Sequence, residues 1–208
     1  MTTMLHRQTG MRHRSADTTR GAEAVAQSSI VTGITVRRAL AGLRIAFGLT
    51  FLWAFLDKFL ALGFSTGAVM SQQGVKTGTD WFGKEAWIHG GNPTLGFLKF
   101  GAKGPFQGFY NAIAGETWVN VLFMLGLLGI GIALTFGIAM RLGTIAGFVL
   151  YLMMWSVALW PANNPIIDEH ILGALSMVVL GLTLAGDTWG LGKAWSRNEL
   201  VRRHPALR

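Results

Sequence analysis

Most apolar positions in this chain do not alternate with polar ones. They run together in blocks: "ALAGLRIAFGLTFLWAFLDKFLALG" over 39–63, "WVNVLFMLGLLGIGIALTFGIAM" over 118–140, "LGTIAGFVLYLMMWSVALW" over 142–160, and a fourth block over 166–185. Each comes close to the roughly 20 apolar residues that a helix needs to cross hydrocarbon. The pattern predicts an all-α integral membrane protein, a four-helix bundle. Gly129, Ala133 and Gly137 in the second block and Gly143 and Gly147 in the third stand at the small-residue spacing that lets membrane helices approach closely. Arg141 alone separates the second and third blocks, which implies a tight hairpin, and "PANNP" separates the third from the fourth. No internal repeat suggests an inverted-repeat transporter.

The polar stretches complete the layout. Residues 1–36 lack hydrophobic periodicity and read as a disordered basic arm. A signal peptide fits them poorly, because the first apolar block begins only after Arg37 and Arg38 and has no obvious small-residue cleavage site behind it. Asp17 and Glu23 argue mildly against a transit peptide. The transmembrane domain then covers 37–192 and a basic tail covers 193–208. The loop between the first two helices, 64–117, is rich in Gly and aromatics. In it Phe106, Phe109, Tyr110 and Ile113 stand at i, i+3, i+4, i+7, the pattern of a short helix on the membrane surface. A loop merely anchored by interfacial aromatics fits equally well.

Charge sets the orientation. The formal net charge is +8, but the basic residues gather in the two tails, so the excess reads as a topology signal and not as a nucleic-acid surface. Arg37, Arg38, Arg141 and the 193–208 tail fall on one side, which makes both termini cytoplasmic and the long loop extracytoplasmic. The chain has no cysteine, which excludes disulfides, thiol nucleophiles, iron–sulfur ligation and covalent haem attachment. Its 5 histidines are scattered, and no haem, flavin or metal site is evident.

Chemistry is concentrated where charge enters the spans. Asn164 followed by Pro165 reads as an N-cap and first helical residue, and Asp168 and Glu169 suit the positive end of a helix. His170 has no such explanation. Asp57 and Lys58 emerge at the same outer level from the first span, so these groups are expected to meet Asp168, Glu169 and His170, either as a structural salt bridge or as a proton relay or anion site. Arg44, Gly48, Phe51, Phe55 and Lys58 share one helical stripe, which is either bundle core or an aromatic slot for a flat carbonyl-bearing ligand such as a quinone. Arg44 can also snorkel to the cytoplasmic face. Asn163 and Asn164 of the turn join Arg44 and Phe55 as candidate substrate or quinone contacts.

Four segments, "LRIAFGLTFLWAFLDKF", "GGNPTLGFLKFGAKGPF", "LFMLGLLGIGIALTFGIAMRLG" and "NNPIIDEHILGAL", together resemble DoxX family membrane proteins, in particular the DoxD-like branch named for the large subunit of thiosulfate:quinone oxidoreductase. The resemblance spans residues 39–208 and implies a four-helix bacterial or archaeal membrane protein. It further implies transfer of electrons from thiosulfate or a related sulfur donor to membrane quinone, often with a second protein subunit. It supplies no catalytic set.

Three functions follow as expectations. The first is a redox subunit in which His170 and a carboxylate handle protons for quinone while Lys58 or a lysine of the outer loop attracts an anionic sulfur substrate. The second is a non-catalytic scaffold or accessory subunit of a respiratory assembly, docking partners through the outer loop or the basic tail. A permease ranks below both, because the second and third spans read as lacking titratable residues and a polar pathway.

Overall fold

The computed structural model describes residues 25–162 and 164–208. It is mostly helical. A short helix α1 (Gln27–Ile30) precedes α2 (Ile34–Leu60), the strands β1 (Ala68–Met70) and β2 (Lys76–Thr79), helix α3 (Gln107–Ile113), then α4 (Thr117–Phe136), α5 (Met140–Val157) and α6 (Glu169–Leu182). Two short helices, α7 (Gly192–Trp195) and α8 (Glu199–Arg203), follow. Three helices, α2, α4 and α5, are long and apolar enough to cross a membrane. Helix α6 has 14 residues, about 21 Å, less than the thickness of a hydrocarbon core.

Helix α2 starts at Ile34, directly after its N-cap Gly33 and inside the stretch read as arm, and Arg37 and Arg38 are good helix formers that extend its first turns. Its other end is set by Ala61, which adopts the left-handed conformation and reverses the chain. Within the arm, residues 1–24 lie outside the described residues, while α1 is helical and its Gln27 is buried.

Helix α2 packs on α4, α4 on α5, and α5 on α6. Glycine makes the first of these contacts close. A Cβ on Gly48 would stand 2.5 Å from the Thr135 backbone nitrogen, and one on Gly131 would stand 2.8 Å from the Leu52 side chain. A Cβ on Gly143 would meet Ala133 at 2.6 Å, and one on Gly147 would meet Met177 at 2.9 Å. Gly129 departs from the expectation: it is exposed, with nothing within 4 Å of its Cβ position. A core of Phe51, Met124, Leu127, Ile130, Leu134, Met140, Met177 and Leu180 fills the space between the four helices.

The two ends of these helices are built differently. At one end lies the loop 61–116, whose β1–β2 pair is antiparallel. Helix α3 forms where the aromatic spacing predicts it, but Tyr110 turns inward against Leu98, Ala102 and Val157, while Phe109 stays exposed. At the other end the basic tail is folded back. Arg141 N–H donates to the Arg208 carbonyl at 2.7 Å, Trp195 Nε1 donates to Leu207 O at 2.7 Å, and Arg208 reaches Asp187 Oδ2 at 3.1 Å. The same Asp187 oxygen accepts from Gln27 N at 3.0 Å, tying α1 to the tail.

Candidate functional site

Helix α6 begins later than the Asn-Pro pair suggests. Asn164 Oδ1 accepts from Ile166 N and Ile167 N, both at 2.9 Å, closing a local turn that does not continue into helix. The N-cap is Asp168: its Oδ1 accepts from His170 N at 3.0 Å and Ile171 N at 3.1 Å, the second and third helical positions. Asn164 is therefore an exposed turn former, and Asn163 lies outside the described residues.

The second oxygen of the cap orients the histidine. His170 Nδ1 lies 2.8 Å from Asp168 Oδ2, with side-chain exposures of 14% and 10%. An ionised carboxylate only accepts, so Nδ1 carries the proton and Nε2 is the ring's free position. Nε2 has no hydrogen-bond partner among the described residues. Burial pushes the Asp168 carboxyl up, but the His170 side chain and the backbone N–H of Ile171 and His170 outweigh it and hold the group below its ordinary value. Capping thus accounts for part of His170 after all: the imidazole braces the cap that starts its own helix.

The imidazole packs edge-on to Tyr151 of α5, ring centroids 6.5 Å apart. Tyr151 in turn meets Phe51 at 5.5 Å and Phe47 at 6.2 Å, both on α2. Gly173 makes room for it, since a Cβ there would lie 2.6 Å from Tyr151 Cζ. An Asp168–His170–Tyr151 series therefore leads from the start of α6 to an aromatic wall on α2. Sequence reasoning passed over Tyr151, and treating the third span as free of titratable groups was wrong. The available signal was a phenol, one of only 2 tyrosines in the chain, within a charge-free block. Glu169 is exposed, and one ligand atom from each of Asp168, Glu169 and His170 falls within 4.8 Å of the others.

Asp57 and Lys58 do not join this group. Among the described residues neither forms an ion pair with Asp168, Glu169 or His170. Asp57, 1% exposed, accepts from Phe64 N at 3.0 Å and from Ser65 N and Ser65 Oγ at 2.9 and 2.6 Å. Lys58 Nζ donates to Ser65 Oγ at 2.9 Å. The expected bridge between helices fails because the chain reversal after Ala61 brings local backbone donors to the carboxylate first.

Arg44 also departs from its expected role. It is fully buried, and it does not snorkel to water. Nε donates to Ala185 O at 3.1 Å, Nη1 to Thr135 O at 3.0 Å and to Leu134 O, and Nη2 to Trp189 O at 3.0 Å and Thr188 O at 3.4 Å. A guanidinium has five N–H groups, and here five carbonyls take them, so none is left for a ligand. Leu134 and Thr135 lie in the last turn of α4, where carbonyls lack helical partners and the dipole is negative. Phe55 stacks on Phe59 at 5.2 Å, about three turns along α2 from Arg44, and does not form a slot with it.

These features define a helical membrane-type protein with an oriented histidine at one end of its helix group. Comparisons with family models, curated proteins and solved structures give no match.

Proposed function

We propose that the chain is a redox subunit of the bacterial cytoplasmic membrane that passes electrons from thiosulfate or a related sulfur donor to membrane quinone. The observation that carries this reading is the oriented His170, with Nδ1 fixed by Asp168 and Nε2 free beside the Tyr151 ring. Quinone bound there would accept two electrons and two protons. Asp168 holds the imidazole in one tautomer, and His170 Nε2 is the group able to move a proton at a carbonyl oxygen. Tyr151, with the Phe47 and Phe51 rings edge-on to it, supplies an apolar aromatic wall for a ring. The chain lacks cysteine, so a partner subunit supplies the electron carrier for the sulfur donor.

In this reading α6 is a short fourth span of a four-helix bundle, both termini are cytoplasmic, and the loop 61–116 is outside. The resemblance to DoxX proteins and the Arg asymmetry support that arrangement. The test is reconstitution with quinone and thiosulfate: His170→Gln should abolish quinone reduction while retaining fold and bound partner. Full activity in that variant removes His170 from the mechanism. The accessory-subunit reading is favoured by one observation, the exposure of Phe100 (81%) and Trp81 (64%) on the loop. It predicts that a partner co-purifies with the chain and that Phe100→Ser releases it with no quinone activity at stake.

A further inference from the structure

Helices α5 and α6 leave a pocket between them at the end where the tail folds back, with a volume of about 500 Å³. That is within the range of roughly 300–1,000 Å³ typical of sites for small ligands. Its walls are apolar: Phe148 from α5, and Met177, Val178 and Leu182 from α6. Val25 and Ile30, flanking and ending α1, contribute to it from a third element, so it is more than a furrow between two helices. α1 is held there through the Gln27 N–H bond to Asp187.

Among the described residues one cation lines this apolar pocket, Arg141. It contrasts with Arg44 in what its donors do. Arg44 gives all five N–H groups to carbonyls, whereas Arg141 is exposed and its guanidinium makes a single hydrogen bond among the described residues, Nη1 to Pro205 O at 3.2 Å. A long apolar recess with an under-used guanidinium at its edge is complementary to an amphiphile with an acidic head. Such a cation at the membrane surface attracts acidic lipid.

From the pocket and the exposed Arg141 at its edge we infer that the α5–α6 recess binds one anionic glycerophospholipid, an acyl chain lying along Phe148, Met177 and Leu182 and the phosphate on Arg141. This site is separate from the His170 group and independent of the redox reading. The lipid would seal α1 against α5 and α6, completing the contact that Val25 and Ile30 begin.

Native mass spectrometry of the purified full chain tests this, with the protein exchanged into mixed micelles containing phosphatidylglycerol or phosphatidylcholine. One phosphatidylglycerol adduct per chain is expected, retained roughly fivefold over phosphatidylcholine, the factor one surface Arg contributes. Arg141→Gln should erase that preference while keeping an adduct. Ile145→Trp, placed at an exposed position lining the recess, should remove adducts of both lipids, and an unchanged thermal midpoint will show that the variant is folded. Equal retention of the two lipids by wild type, an unchanged preference in Arg141→Gln, or displacement of the adduct by millimolar inorganic phosphate would each overturn the assignment. So would a lipid-free dimer whose association Ile145→Trp abolishes, since a second copy would then be the occupant.

Discussion

The Arg44 Nε donates to the carbonyl of Ala185 at 3.1 Å, joining residues 141 positions apart and locking α2 to the turn that follows α6. Around this bond the same guanidinium closes the end of α4. Lysine carries three donors, so Arg44→Lys leaves at least two carbonyls without a partner. Each should cost about 1–3 kcal/mol in unfolding free energy, and Arg44→Met should cost more. Reversible unfolding in mixed detergent micelles measures both. A tolerated Arg44→Met would show that water replaces the guanidinium.

Glycine positions separate helix contact from mere composition. Gly48→Ala places a methyl 2.5 Å from the Thr135 backbone nitrogen and should force α2 and α4 apart, lowering stability by roughly 1–3 kcal/mol. Gly129→Ala meets nothing within 4 Å and should be neutral or slightly stabilising, since alanine is the better helix former. The same unfolding assay ranks the pair, and the reverse order would contradict the α2–α4 contact.

Asp168→Asn retains a good N-cap but loses the charged partner of His170. Because the folded carboxyl is held below its usual value of 3.8, its contribution is complete above that value and is lost as pH falls through the lower folded one. The stability gap between wild type and Asp168→Asn should therefore close as pH drops below about 4. A gap that persists at about pH 2 would mean that the charge is not its source.

Asp57→Ala should destabilise the loop after α2 by about 1–3 kcal/mol, since the Phe64 and Ser65 N–H groups lose their acceptor. Lys58→Met removes one exposed bond to Ser65 and should cost under about 1 kcal/mol. Proteolysis within 61–80 reports the first effect separately from global unfolding. Equal losses in the two variants would restore an Asp57–Lys58 role beyond the loop.

Topology has a direct check in a chain without cysteine. Single cysteines at Thr79 and Ser196 should differ in intact cells, the first reacting with an impermeant maleimide and the second only after lysis. The reverse labelling would invert the proposed orientation.

Hydropathy alone was enough to locate α2, α4 and α5, because crossing hydrocarbon demands a local run of apolar residues and a satisfied backbone. The hairpin at Arg141, the inward glycines Gly143 and Gly147 and the helical spacing around Tyr110 were legible for the same local reason. The start of α6 was not, since Asn164 and Asp168 are both competent caps and only the folded chain shows which one feeds a continuing helix. Nor were the partners of the charged residues. Asp57 is claimed by a loop reversal that depends on Ala61 turning left-handed, and Arg44 by carbonyls from α4 and from 185–189, which close packing at Gly48 and Gly131 helps bring within reach. A charge in an apolar run announces that it needs partners; which ones it finds is decided by distances between segments far apart in the chain.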